Sequence, residues 1–418
     1  MIRAGQPLLG SMAIQALGAA ATLGIGVVVA VWQGPESQGH YGLVRSTADL
    51  LLALALFGLP QSLVHAINQQ HVRPATLLRW AQRYVVALGA LALALTLLAE
   101  ATGGVWMPGW LASPWMWCAL LVGSVGWVLQ GLLRVFVLCR GSGIQFAWVS
   151  VMPALTLAVA VCAAVVAGRS DFELALLASG VASALLAWWQ LGAVVRRADW
   201  QAGGSHQWRP LLVGGLHAFA QTLVLALQPW VSLHLIAWQG ARPAEVGHFV
   251  FATYVYQIFA LPVSFVAPLL FARISRAAGQ GQAYSIGARL WPALASTTAG
   301  ALFAAAVLPL AVPALLGPAY APSTWACVWM ALCGPALVLN RLGVSVLLGR
   351  GRFRAATAHA LWRAMALPLT MLLCWAVQWA DTVTTAAFAW LLVEASCAGV
   401  LWLLWNGTSA LPRGVDVP

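Results

Sequence analysis

The sequence has no lysine and little charge of either sign: 7% of its residues are charged, and its 10 acids are set against 21 arginines. Soluble globular domains carry about 25% charged residues, so this composition excludes that class. No run alternates apolar and polar residues as the strands of a membrane β-barrel do. The seven cysteines, Cys118 and Cys374 among them, lie in apolar stretches without CxxC spacing and read as small buried hydrophobes, so neither a disulfide framework nor a metal site is expected. A P-loop and a dinucleotide fingerprint are both missing, which excludes energy drawn from bound ATP by those motifs. No cofactor is expected.

What remains is hydrophobic, 62% of the chain, in runs that exceed the roughly 18 to 20 residues needed to cross a bilayer. Backbone in hydrocarbon must satisfy its own hydrogen bonds, and continuous apolar runs do this as helices. The predicted fold class is an all-α polytopic membrane protein. Dividing the chain where charge, Gly and Pro cluster gives about twelve spans: 7–32, 43–67, 76–99, 113–138, 147–167, 172–195, 211–238, 246–271, 287–316, 323–348, 356–379 and 384–405. The first is too long for a signal-peptide core and is read as a retained span.

Charge sets the orientation, because cytoplasmic loops hold the arginine excess. With both termini inside, Arg3, Arg73, Arg79, Arg83, Arg134, Arg140, Arg196, Arg197, Arg209, Arg273, Arg276, Arg289, Arg341, Arg350, Arg352, Arg354, Arg363 and Arg413 fall on the inner side. Arg45, Arg169 and Arg242 fall outside, together with Glu36, Glu100, Asp171, Glu173, Glu245 and Asp381. The net charge of +11 is therefore a topology signal with attraction to anionic lipid, and it makes no case for nucleic acid.

The short polar stretch "WQGPESQGHYG" from Trp32 recurs as "WQGARPAEVGHF" from Trp238. A shift of 206 lays Trp32-Gln33-Gly34 on Trp238-Gln239-Gly240, Gln15 on Gln221, Ser11 on His217 and Thr22 on Gln228. A shift of 208 then lays Gly39-His40-Tyr41 on Gly247-His248-Phe249 and Asp49 on Gln257. At 210, "PGWLASPW" meets "PAYAPSTW", Gln130 meets Asn340, and Arg140-Gly141 meets Arg350-Gly351. Blocks in one order with slowly growing shifts are a duplication. Six spans separate the copies, so both enter the membrane the same way, giving two parallel six-helix lobes, residues 1–200 and 201–418. In transporters built on parallel repeats, sites lie between the halves near mid-membrane, which predicts a central cavity. The two polar stretches are expected to be equivalent outward turns between the first and second helix of each lobe.

The segments "VWQGPESQGHYGLVRSTADLLLALALFGLP", "AEVGHFVFATYVYQIFALPVSFVAPLLFARIS" and "LLGPAYAPSTWACVWMALCGPALVLNRLGVSVLLGRGRF" resemble the polysaccharide-export, O-antigen-type flippase branch of the multidrug/oligosaccharidyl-lipid/polysaccharide exporter superfamily. The resemblance covers essentially the whole chain. It implies a non-enzymatic flippase of the bacterial inner membrane that moves an undecaprenyl-diphosphate-linked oligosaccharide outward by alternating access, with proton or sodium coupling and with polysaccharide polymerase and glycosyltransferases as partners. The ion-coupled extruders of the superfamily commonly carry a carboxylate in the first helix of a lobe, where this chain has Ser11, Gln15 and Thr22. An ion-coupled multidrug exporter is the alternative. A glycosyltransferase or polymerase would need catalytic residues in a large outer loop, and the loops here are short.

Several residues are candidates for transport. Ser11, Gln15 and Thr22 form one helical stripe, repeated by His217, Gln221 and Gln228; such stripes face either a cavity or a neighbouring helix. Arg45 and Asp49 are one turn apart and can pair, as a simple interfacial pair or as one that cargo phosphate opens. Arg134, Arg341 and Arg363 lie toward inner helix ends, where guanidinium either snorkels or binds the cargo diphosphate. Glu394 sits about 16 Å into the last span, as a coupling site for a proton or sodium ion, or as a protonated hydrogen-bonding group; Asp49 is the second coupling candidate.

Overall fold

A computed structural model describes residues 6–60, 63, 74–104, 110, 113–195, 209–279, 287–377 and 380–406. The boundary expected at 200/201 lies outside them, as do Arg3, Arg73, Arg196, Arg197, Arg413 and the side chains of Arg140, Arg209, Arg273, Arg276, Arg289 and His217. The described residues contain twelve α-helices and no strand. In chain order these are α1 (Gln6–Leu56), α2 (Pro74–Ala101), α3 (Pro114–Arg140), α4 (Gly143–Val166), α5 (Phe172–Val195), α6 (Arg209–Trp238), α7 (Pro243–Gly279), α8 (Gly287–Leu316), α9 (Thr324–Leu332), α10 (Gly334–Gly349), α11 (Phe353–Val377) and α12 (Thr382–Asn406). A 3₁₀ turn, Pro318–Ser323, precedes α9.

Ten of the described helices are long and apolar enough to cross a membrane, and the bent pair around Cys333 makes eleven. One of the ten, the 44-residue stretch Ala13–Leu56, would be about 66 Å long as an unbroken helix at 1.5 Å per residue, twice the hydrocarbon thickness. It holds two spans, and the second completes the twelve expected. The chain is a multi-pass membrane protein. Tryptophans at matched positions of the repeat, Trp32 with Trp238 and Trp115 with Trp325, are all exposed, as interfacial anchors should be.

Two expectations need correction. The turn from Trp32 is far shorter than expected: the helix stops only at Gly34, whose φ of 81° and ψ of −177° are not helical, and resumes at Pro35. Proline suits a first helical position because its missing N–H would find no partner there, so the second span begins well before residue 43. In the second copy Gly240 likewise has a positive φ, 80°, and α7 starts at Pro243. The span read as 323–348 is also broken: α9 and α10 meet at a 41° bend. Pro335 has no N–H to give the carbonyl one turn earlier, and its ring crowds that carbonyl.

Local signals set several helix starts. Ser113 caps α3 by accepting from the Met116 amide at 3.3 Å. Ser142 and Gln145 form a capping box on α4. Asp381 accepts from the Val383 and Thr384 amides at 3.0 and 2.9 Å, opening α12.

The chain divides into two compact units, Met1–Phe251 and Ala252–Pro418. In the first, α3 packs on α2, α4 and α5, and α1 packs on α4 and α6; Val128, Leu132, Leu133 and Phe136 of α3 are the centre of its core. In the second, α12 packs on α9, α10 and α11.

Within the first unit the start of α7 crosses the post-Gly34 part of α1 at the repeated glycines. A Cβ on Gly39 would collide with the Pro243 carbonyl oxygen, and one on Gly247 would collide with that of Pro35. Pro35 and Pro243 are themselves repeat partners, as are Gly42 and Val250, which also touch. Each copy thus packs on the other through the same residues, the reciprocity of a two-fold contact. Small residues permit this backbone approach in lipid.

Gly247→Ala is therefore expected to lower the thermal stability of the purified protein by about 1–3 kcal/mol or more, the usual cost of overpacking. Gly240→Ala should cost about 1–2 kcal/mol through its positive φ. Gly24→Ala, with open space around its Cβ position, should cost nothing measurable. Melting curves of the three variants in detergent or nanodiscs check the ranking.

Candidate functional site

The second unit holds a charged cluster inside its helices. Glu394 of α12 is fully buried. Its Oε1 accepts from the Tyr256 hydroxyl at 2.7 Å and forms an ion pair with the Arg363 guanidinium. Its Oε2 accepts from Asn340 Nδ2 at 2.7 Å, and the same amide reaches the Glu394 backbone oxygen at 3.0 Å. Arg363 also donates to the Tyr256 hydroxyl at 3.5 Å. Four helices, α7, α10, α11 and α12, each supply one member. An isolated charge in hydrocarbon costs about 2.5–3.5 kcal/mol on insertion scales; here the two opposite charges offset each other, and neutral donors fill the remaining carboxylate lone pairs.

Two further residues border this cluster. Arg341 lies on α10, half-buried, one position beyond Asn340, and interacts with the Tyr256 hydroxyl. Its Nε is buried and finds no hydrogen-bond partner. His359, one turn before Arg363 on α11, is buried as well. Among the described residues of this cluster, Arg363 and the adjoining Arg341 stand against one acid, Glu394, which leaves one positive charge in surplus.

The first unit answers with a neutral cluster on the corresponding fourth, fifth and sixth helices of its copy. The Thr156 hydroxyl lies 3.0 Å from that of Ser179 and 2.7 Å from that of Ser183, and Trp127 Nε1 donates to Ser179 at 3.2 Å. Gln130, the repeat partner of Asn340, is buried and donates to the Val149 carbonyl. The repeat thus keeps an amide on its fourth helix in both copies, but only the second surrounds it with charge.

The charged candidates of the first unit are less buried. Arg45 Nε donates to Asp49 at 3.0 Å, with both side chains about one-third exposed, and its guanidinium lies 4.7 Å from the Trp127 ring centroid. Such a cation–π contact adds about 0.5–2 kcal/mol. Arg134 is half-buried with its guanidinium 6.0 Å from the Phe146 ring. On the polar stripes, Gln15 and Gln221 are half-buried, Thr22 donates to the Gly18 carbonyl at 3.0 Å, and Gln228 is buried with its Nε2 unpaired. The side chain of His217 lies outside those described.

The structure therefore joins Arg363 to Glu394, sets Arg341 beside them, and pairs Arg45 with Asp49. Sequence reasoning did not find Tyr256, Asn340 or Trp127 as members of these clusters. Asn340 carried a signal, since a polar residue inside a span recurs at Gln130; Tyr256 and Trp127 carried none beyond being aromatic.

No known family's sequence profile matches the chain, and no curated protein matches it. Solved structures do. An inward-facing multidrug resistance MATE family transporter of the MOP superfamily is similar at a TM-score of 0.70 with 15% identity, covering 96% of this chain and 98% of that chain. The lipid II flippase MurJ in an inward closed conformation is similar at 0.68 with 10% identity, covering 95% and 87%. The MATE multidrug transporter DinF-BH is similar at 0.66 with 12% identity, covering 97% and 96%. The chain shares the fold of these proteins over nearly its whole length.

The cluster has a clear energetic signature. Arg363→Met leaves Glu394 as an unpaired buried acid and should destabilise by about 3–5 kcal/mol, whereas the double replacement Arg363→Met with Glu394→Leu should recover most of that loss. Melting temperatures of the single and double variants give the coupling; equal losses in both would show that the pair is not desolvated.

Proposed function

We propose that this chain is a flippase that carries an undecaprenyl-diphosphate-linked oligosaccharide across the bacterial inner membrane by alternating access, with no covalent chemistry of its own. Its two repeat halves, 1–200 and 201–418, act as lobes around a central cavity, with both termini cytoplasmic. Polysaccharide polymerase and glycosyltransferases acting on the same lipid carrier are its partners.

The observation that carries this reading is the surplus positive charge at Arg341, a guanidinium inside the membrane whose buried Nε has no partner. An anionic head group supplies what that group lacks, and guanidinium binds phosphate oxygens in a bidentate fashion. Arg363 is the second ligand. To reach a diphosphate it must leave Glu394, and a carboxylate losing its counter-ion in low dielectric takes up a proton or binds a sodium ion. Cargo binding and ion uptake are then one exchange reaction. Arg45 and Asp49 repeat that logic in the first unit, with Asp49 as the group released. Arg134 draws the head group toward the inner face, while Gln15, His217, Gln221 and Gln228 hydrogen-bond the sugars.

A second reading, an ion-coupled multidrug exporter, is favoured by one observation: two of the similar structures named above are multidrug transporters. It needs an acid able to receive a cation, which Glu394 offers in either reading once Arg363 leaves it.

Arg341→Gln removes a charge-assisted contact of about 1.5–3 kcal/mol, so surface polysaccharide should fall about 10- to 100-fold at equal membrane expression, with lipid-linked oligosaccharide accumulating inside. Normal export by Arg341→Gln, Arg363→Gln and Arg45→Gln alike would refute the cargo assignment. Efflux of dyes or drugs with unchanged surface glycan would establish the second reading.

A further inference from the structure

The duplication places a histidine beside each crossing glycine, His40 after Gly39 and His248 after Gly247. His40 has an acidic partner from a distant segment. Its Nε2 lies 3.1 Å from Oε1 of Glu173, a side chain only 3% exposed, while His40 itself is 29% exposed. The imidazole sits among aromatic rings, 6.0 Å from Trp110 and 5.8 Å from Phe172 between centroids. Glu173 belongs to the first turn of α5. A second bond ties the same two segments: Gln33 Nε2 donates to the Arg169 carbonyl at 2.8 Å.

The other charged groups around this point have their own partners. Arg169 pairs with Asp171 at 2.6 Å on the turn before α5, and Arg242 with Glu245 at 3.4 Å at the start of α7. Arg45 pairs with Asp49 further along α1. Glu36, one turn before His40, is exposed to solvent. Tyr41 packs its ring on Phe172 at 5.3 Å, and His248 is buried on α7. Glu173 is thus a buried acid whose cationic partner carries charge only when a half-exposed imidazole holds a proton.

We propose that His40 and Glu173 form a proton-binding site, separate from Glu394, that latches the crossing of Gly39 on Gly247. With His40 protonated, the ion pair fixes the start of the second span against α5 and holds Gly39 against the Pro243 carbonyl. When the proton leaves, a neutral imidazole faces a buried carboxylate, the attraction is lost and the crossing loosens. The site's exposure to the outer compartment rests on the arginine-based topology; its test involves no cargo.

Hydrogen exchange of the full-length protein in nanodiscs reads the latch directly, as protection factors corrected for intrinsic rates between about pH 5 and pH 8, where a histidine changes charge. Amides of Gly39–Leu43 in the unaltered protein should lose protection as pH rises across that range. His40→Gln and Glu173→Gln should abolish the dependence, and His248→Gln should keep it. His40→Arg, a fixed cation, should hold the crossing protected throughout, which keeps the test decisive where the neutral variants fold poorly. A pH-independent crossing in the unaltered protein, or an unchanged dependence in His40→Arg, would overturn the latch while leaving cargo transport through Arg341 untouched.

Discussion

A carboxylate with no water around it must be given every ligand by the protein, and Glu394 is the point where this chain meets that demand. Its four-helix cage of Arg363, Tyr256 and Asn340 around α12 is both packing and chemistry. The same low dielectric that makes the pair costly to form makes it costly to break without a substitute. An anion that takes Arg363 and a cation that takes its place on Glu394 are such substitutes. The proposed transport cycle, without covalent chemistry, needs two arrangements of similar energy, which such an exchange of ion partners would supply.

Duplication explains how only one unit surrounds its fourth-helix amide with charge. In the first unit, hydroxyls of Thr156, Ser179 and Ser183 join the fifth and sixth helices of the copy with short mutual hydrogen bonds, while Trp127 ties in the fourth. Those groups are neutral and already matched. The second unit keeps the amide at Asn340 and adds ions. The first cluster is closed by neutral polar contacts; the second borders a guanidinium whose buried Nε has no hydrogen-bond partner. The repeat's backbone features, by contrast, persisted: Gly34 and Gly240 share a positive φ, and Gly39 and Gly247 meet face to face.

Much of the architecture was legible because membrane insertion writes itself into composition. Long apolar runs, arginine placement and the shifted Trp-Gln-Gly triplets lead to helices that begin and end within a few residues of those observed, as for α5 and α8. Two features misled. Polar residues such as Glu36 and Gln38 suggested a loop after Trp32, yet one glycine followed by proline was enough to break and restart the helix, leaving Gln38 buried inside it. Pro335 lay inside an unbroken apolar run, so hydropathy alone hid its bend. Of the site, Arg363 and Glu394 stood out individually as ions in spans. Their pairing did not, nor did that of His40 with Glu173, since each joins helices that only tertiary packing brings together. Tyr256 looked like any core aromatic until its hydroxyl had a partner.

Transport by partner exchange requires that Glu394 stay ionised against Arg363 until an anionic head group takes the guanidinium. Difference infrared spectroscopy of the purified protein, with and without undecaprenyl diphosphate, measures this at neutral pH. A protonated-carboxyl band should appear on adding the lipid and be missing in Glu394→Gln. A band already present before the lipid is added, or none appearing afterwards with bound lipid verified and sodium absent, would contradict the exchange.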